Sequence, residues 1–404
     1  MKISLSPTRW LLLAVFVVSS LAGCRSEEEP QPTQPSGQDL FVSAQAATTI
    51  PKAQAQALAT IAGFGAFASH IQYDATYFKM VYKTTYKGQL IQVSGLLGVP
   101  LNTPKAPALL SAQHGTTFKQ SESPSNFPST FTGFELFASA GFVTVIPDFI
   151  GLGVSGNVPQ PYYDKATSAG AVVDMIKAAK YYLQQQNITV NKNLFLLGYS
   201  EGGYVTMAAQ QEIETNAQHG LTLTAAAEGA GGYDLNGMLN GVAAVQNYAT
   251  PSYLALILYG YNATYGWNRP MSDFFQAPYA ARIPALLDGT KTRTDIEPQL
   301  TTSPAALFTP AFYSALGTTG GEPVLRQKLT DNSFGGWAPR SPTRLYHGTA
   351  DESVFYQTSV STLASFQKAG ATNVTLTSIQ GGTHQSSITP MMADALPWLQ
   401  SLDK

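Results

Sequence analysis

One cysteine occurs in 404 residues, Cys24, close to the amino terminus. The remainder of the chain therefore has no disulfide and no thiolate metal site. Charge is also scarce: Asp, Glu, Lys and Arg make up 12% of the chain, about half the usual share. There is no basic surplus, since 23 basic residues face 25 acidic ones. A nucleic-acid partner is excluded on that ground, because phosphate contacts need a basic face. Five histidines are present (His70, His114, His219, His347 and His384), and none pairs with another at the close spacing of a helical zinc motif. No metal and no cofactor is expected. The longest apolar run, Trp10 to Val18, is too short to span a bilayer, which takes about 20 residues.

That run has another meaning. Lys2 and Arg9 precede it and small residues follow, the pattern of a secretory signal peptide over residues 1–23. It ends in Leu21-Ala22-Gly23-Cys24, which resembles a bacterial lipoprotein cleavage box. The resemblance implies cleavage before Cys24 and lipid on its sulfur, hence an exported lipoprotein held to a membrane. Arg25 rather than Asp at the second mature position leans by resemblance toward the outer membrane, and the acidic run Glu27-Glu28-Glu29 resembles a surface-export signal as much as a solvated tether. Residues 24–45, rich in Glu, Pro, Gln and Ser, are expected to be a disordered tether.

From about Tyr73 the pattern becomes that of a folded domain. Thr76 to Lys83 and Leu90 to Val99, joined through Lys87-Gly88, predict an antiparallel hairpin. Short apolar runs at residues 108–112, 142–146 and 194–197 read as buried parallel strands. Helical periodicity covers Ala166 to Gln186 and Gly203 to Ala217. The alternation predicts an α/β fold, a mostly parallel sheet flanked by helices. Residues 233–340 break the rhythm with aromatics and helical segments starting at Pro251 and Pro310. They are expected to form a helical cap or lid inserted between core segments 46–232 and 341–404, since so long a structureless loop would be abnormal.

Gly198-Tyr199-Ser200-Glu201-Gly202 fits G-x-S-x-G. The pentapeptide alone says little, but it lies between the strand-like Asn193 to Leu197 and the helix-like Gly203 to Ala209, the setting of a nucleophile elbow. A serine hydroxyl needs a base, and the base an orienting acid. Downstream, Asp351 follows the strand ending at His347, and His384 follows the strand ending at Ile379, in the order Ser, acid, His. The blander alternatives are that Asp351 caps a helix or shapes a turn and that His384 is an ordinary loop histidine. His347, inside its strand, reads as packed or hydrogen-bonded, and Asp148 as a loop organiser.

These segments resemble the α/β-hydrolase superfamily, and the junction from Asn332 to Pro339 is similar to that of secreted lipases and esterases. The resemblance implies Ser200 as nucleophile, Asp351 as acid and His384 as base. It also implies an oxyanion hole from the backbone N–H of Glu201 and, in the segment Gln113-His114-Gly115-Thr116-Thr117, that of Thr116, with Thr117 in reserve. The expected activity is hydrolysis of carboxylic esters through an acyl-enzyme, as a carboxylesterase or lipase acting on a small-molecule or lipid ester. A serine peptidase of the same fold, a feruloyl or acetyl-sugar esterase, and a binding lipoprotein that lost its chemistry are the alternatives. Oligomeric state is not legible.

Overall fold

The structure, a computed structural model, describes Met1 and residues 34–404. The signal peptide, the lipidation site Cys24 and the first part of the tether lie outside the described residues. Among the described residues no helix is long and apolar enough to cross a membrane.

Nine strands form one sheet: β1 (Phe41–Ile50), β2 (Ala75–Tyr86), β3 (Gln89–Pro100), β4 (Leu109–Gln113), β5 (Val143–Pro147), β6 (Leu194–Tyr199), β7 (Ala225–Gly229), β8 (Thr343–Gly348) and β9 (Val374–Ile379). Their order is β1-β2-β3-β5-β4-β6-β7-β8-β9. The first three strands and the β3–β5 pair are antiparallel, and every pair from β5 to β9 is parallel. The longer helices are α1 (Lys52–Ile61), α2 (Lys165–Gln185), α3 (Glu201–Thr215), α4 (Leu235–Ala244), α5 (Pro251–Thr264), α6 (Tyr279–Leu286), α7 (Pro310–Leu316), α8 (Pro323–Asp331), α9 (Gln357–Lys368) and α10 (Ile388–Leu402). Two apolar cores lie against the sheet. One joins its side chains to α2, α3, α9 and helices α4 to α8, the other to α1 and α10. Parallel strands covered on both faces read as continuous apolar runs, which is why β4, β5 and β6 are fully buried. The α/β layering predicted from the sequence is the observed one.

The tether expected to run to residue 45 stops earlier. Ser36 and Asp39 form a reciprocal capping box around the short helix Gly37–Leu40, and Phe41 begins β1, which pairs with β2. The physical cause is apolar: Leu40 is fully buried, and Phe41 stacks on Tyr182 of α2 at 5.5 Å between ring centroids.

β7 was also not anticipated. Its sequence, Ala-Ala-Ala-Glu-Gly, has little β propensity. It holds as a central strand because β6 and β8 pair with it on both sides. Between β7 and β8 the chain contributes no strand to the sheet and forms helices α4 to α8. Polar contacts tie these helices to the sheet side. The hydroxyls of Tyr204 on α3 and Tyr261 on α5 both donate to the carbonyl of Tyr163, at 3.0 and 2.9 Å. Asn332, just past α8, accepts the backbone N–H of Lys165 at the start of α2, at 2.9 Å.

One buried group on β7 stands without partners. Glu228 is fully buried and neither carboxyl oxygen accepts a hydrogen bond. Burial, reinforced by nearby Glu214, pushes its pKa well above its ordinary 4.5. A proton held more tightly in the folded than in the unfolded chain makes stability fall as pH rises through the unfolded value. Glu228→Leu is therefore expected to raise the midpoint of thermal unfolding, and by more at pH 8 than at pH 5. The gain corresponds to about 1–3 kcal/mol, the usual cost of an unsatisfied buried polar group. Melting curves of both proteins at the two pH values check this; an equal or smaller gain at pH 8 would refute it.

Candidate active site

Strand β6 enters helix α3 through a turn at Ser200, whose backbone sits at φ 62° and ψ −126°. Non-glycine residues rarely adopt such a conformation, and the surroundings must hold it. The Ser200 N–H donates to the Gly229 carbonyl of β7 at 2.8 Å. Close approach of backbones does the rest. A Cβ on Gly202 would run into the carbonyl oxygens of Gln113 and His114, and one on Gly198 into the carbonyl of Gly202. Only glycine at both positions lets α3 lie against the end of β4.

The turn lifts the Ser200 hydroxyl to where two other loops arrive. His384, in the loop after β9, places Nε2 at 2.8 Å from Ser200 Oγ. Its Nδ1 lies 2.7 Å from Asp351 Oδ2, in the loop after β8. A neutral His384 carrying its proton on Nδ1 donates to Asp351 and accepts from Ser200. All three side chains are almost completely buried. The His384 loop is held at both ends of its backbone unit. Its carbonyl accepts from the Tyr199 hydroxyl at 2.6 Å, and its N–H donates to Glu352 at 3.3 Å.

Asp351 is supplied with donors from every side. Oδ1 accepts the N–H groups of Ser353 and Val354 at 3.0 and 2.8 Å. Oδ2 accepts from His384 and lies 3.3 Å from Nε2 of His347. Burial alone would raise the carboxyl pKa, but the donors from His347 and His384 outweigh it and take it down to about 2. Asp351 is thus a carboxylate at any physiological pH. His347, completely buried in β8, also donates from Nε2 to the Val354 carbonyl at 2.8 Å, and its Nδ1 accepts from Ser359 at 2.7 Å. Sequence reading placed His347 as a packed or hydrogen-bonded residue and missed its contact with Asp351. The four-residue spacing is its only sequence trace, because the loop after β8 turns back on the strand.

The loop after β4 comes close to Ser200: a Cβ on Gly115 would sit 3.6 Å from the Ser200 Cβ. His114 shapes this loop, its Nδ1–H donating to the Gly115 carbonyl at 2.7 Å while its ring stacks on Phe149 at 4.3 Å. Asp148 anchors the next loop, accepting from the Ser94 hydroxyl and the Ser125 N–H at 2.5 and 2.8 Å. Among the described residues, the backbone N–H groups of Glu201 and Thr116 make no backbone hydrogen bond outside helices and strands. The Thr116 hydroxyl bonds Tyr162 at 2.8 Å. The Glu201 side chain is buried with no cation beside it, and burial, only partly opposed by a bond from Thr116, raises its pKa to about 8.

Two cavities flank the Asp351 loop. An apolar chamber of about 80 Å³ lies among the helices, walled by Tyr162, Leu235, Ile257, Phe308 and Phe312, and closed at one side by Ser353 and Val354. An open cleft of about 430 Å³ is bordered by His384 itself. The Tyr248 hydroxyl donates to the Ser353 carbonyl at 2.6 Å, fastening this dividing loop to the chain that enters α5.

Residues 134–402 match the model of the secretory lipase family, and the chain belongs to that family. Membership makes it an exported hydrolase of esters in coarse terms. No curated protein sequence matches it. Among solved structures it is similar to a Legionella pneumophila protein (23% identity, TM-score 0.80), with 90% of this chain and 98% of that one covered. It is also similar to the rice cell wall degrading esterase LipA from Xanthomonas oryzae (24% identity, TM-score 0.79), with 91% and 98% covered. Candida antarctica lipase A shares 15% identity at a TM-score of 0.61 over 87% of this chain and 78% of that one. At these identities the likeness is one of fold, the α/β-hydrolase fold.

Proposed function

We propose that the protein hydrolyses carboxylic esters through an acyl-enzyme on Ser200. The observation that carries this reading is the unbroken hydrogen-bond chain from Ser200 Oγ through His384 to Asp351, with links of 2.8 and 2.7 Å. His384 takes the Ser200 proton as the hydroxyl oxygen attacks the ester carbonyl. The N–H groups of Glu201 and Thr116 hold the oxyanion, at the start of α3 where the helix dipole favours negative charge. His384 then returns the proton to the leaving alkoxide, and water repeats the sequence to free the acid. Asp351, held ionised by its four donors, keeps the imidazole in the required tautomer. The apolar chamber takes the acyl group, and helices α4 to α8 act as the cap that forms it. Tyr162 connects the two parts, since it bonds the Thr116 hydroxyl and also lines the chamber. A lipophilic acyl chain fits such walls, which supports a lipase or long-chain esterase over a peptidase.

Ser200→Ala should lower kcat/KM on p-nitrophenyl laurate by roughly four orders of magnitude with an unchanged circular dichroism spectrum. Equal activity in the variant would remove Ser200 from the mechanism. Activity on aminoacyl anilides with none on esters would favour the peptidase reading.

Glu201 gives the pH dependence a sign. Its carboxyl is neutral below about pH 8 and gains a negative charge above it. That charge arises on the residue whose N–H holds the oxyanion, and like charges disfavour each other there. kcat/KM is therefore expected to fall on the alkaline side with a midpoint near pH 8. Glu201→Gln should remove that fall and leave activity on the acidic side unchanged. An alkaline limb that persists in Glu201→Gln would assign it to another group.

Cys24 is proposed to carry lipid and to hold the enzyme at the outer membrane through the segment that precedes Ser36. Metabolic labelling with a fatty acid should mark the wild type and not Cys24→Ala, which should appear in the soluble fraction. Labelling that survives the substitution would end this reading.

A further inference from the structure

One buried imidazole takes no part in the proton transfers proposed above. His347 is completely enclosed in β8, and its ring stands edge-on to Tyr356 at 5.7 Å between centroids. Nε2 lies 2.8 Å from the Val354 carbonyl oxygen, which can only accept, so the ring proton sits on Nε2. Nδ1 then accepts from the Ser359 hydroxyl of α9 at 2.7 Å. The same Nε2 is 3.3 Å from Oδ2 of Asp351. One N–H is therefore shared, with its main bond to Val354 and its flank against the carboxylate.

These contacts close into a loop. The Val354 N–H donates to Asp351 Oδ1 at 2.8 Å, the Val354 carbonyl accepts from His347, and His347 reaches Oδ2. The two carboxylate oxygens are not held alike. Oδ1 has two backbone donors, Ser353 and Val354. Oδ2 has His384 and, among the described residues, beyond it only His347. An Asp carboxylate turns easily about its last torsion, which has broad wells. On the proposed mechanism His384 gains and loses a proton in each half of the cycle, so its pull on Oδ2 changes. The His347 N–H stays throughout.

We propose that His347 is a positioning residue of the active site: its Nε2–H holds Asp351 Oδ2 in the orientation that His384 needs, whichever protonation state that imidazole is in. The proposal rests on the acyl-enzyme reading above. It asks more of the ring than packing does. An apolar ring of the same size would fill the space in β8, give Asp351 no donor, and leave the Val354 carbonyl and the Ser359 hydroxyl unpaired. A turned carboxylate swings the imidazole away from Ser200, and a misplacement of about 1 Å in such a constellation costs on the order of a hundredfold in rate. The loss falls on the steps that form the imidazolium, hence on kcat, and equally for every acyl chain. Val354 also lines the apolar chamber. A residue that merely held that wall would change KM and the preference among chain lengths instead.

Two amide substitutions separate the donor from its frame. His347→Gln carries an N–H as many bonds from Cα as Nε2 is, whereas the amide of His347→Asn reaches only as far as Nδ1, toward Ser359. On p-nitrophenyl butyrate and laurate, His347→Asn is expected to lower kcat about tenfold to a hundredfold, by the same factor on both esters and with KM unchanged. His347→Gln is expected to recover most of that loss. Ser359→Ala loosens the other edge of the ring and leaves the Nε2–H in place, so its kcat should stay close to that of the wild type. An unchanged kcat in His347→Asn, an equal loss in His347→Gln or Ser359→Ala, or a loss confined to KM or to laurate overturns the proposal. Nitrogen–proton NMR correlations of the wild type read the tautomer without requiring any variant to fold. A His347 proton on Nε2 supports the proposal, and one on Nδ1 overturns it. A wild type inactive on both esters overturns the acyl-enzyme reading instead.

Discussion

The structure depends on one crowded crossing. At the elbow, α3 lies against the end of β4 so closely that no Cβ fits at Gly202, and β6 and α3 meet so closely that none fits at Gly198. This contact places the Ser200 hydroxyl beside the His114–Thr116 loop and points the first turn of α3 at the same spot. Protein interiors are packed at crystal density, so a steric demand of this kind cannot be relieved locally. The strained Ser200 backbone is the consequence, and it is held by the Gly229 carbonyl and the strands on both sides. The position of Ser200 follows from backbone packing, whereas its hydrogen-bond partners are side chains that arrive from the ends of β8 and β9.

Burial raises the pKa of each acid around this crossing, and the number of donors decides the outcome. Asp351 is buried and still ionised, because two N–H groups and two imidazoles surround it. Glu201 and Glu228 are equally buried and have no such company, so their protons are retained. An ionised acid is useful where it must stabilise an imidazolium. A neutral one is tolerable next to a developing oxyanion, where a fixed negative charge would be harmful. The same low dielectric therefore supports both states within one site.

Much of this was legible in the residues. The elbow, the hairpin of β2 and β3, the runs that became β4, β5 and β6, and the proline starts of α5 and α7 all carry local signals that survive folding. What escaped was decided by tertiary partners. β7 is a strand because β6 and β8 pair with it, and three alanines announce nothing. β1 is ordered because Leu40 and Phe41 find α2, while their neighbours look like tether. His347 reaches Asp351 only because the loop after β8 doubles back, a path no periodicity encodes. The polarity of the two cavities is equally non-local, being assembled from segments more than a hundred residues apart, such as Tyr162 and Phe308.

That polarity also explains why the Asp351 loop is so heavily tied. Asp351 accepts from His384, and Ser353 is at the same time a wall of the chamber and of the cleft. On the proposed mechanism, a mobile partition would let a bound acyl chain push on Asp351, which sets the imidazole tautomer. The Tyr248 hydroxyl on the Ser353 carbonyl and the His347 ring on the Val354 carbonyl restrain the loop from the cap side and from the strand side. Both bonds are buried, where their strength is greatest and water does not compete. Rigidity here lets helices α4 to α8 differ in what they admit without altering the geometry that Ser200 and His384 require. On the proposed acyl-enzyme reading, the cap can then set the choice of substrate while the sheet keeps the chemistry.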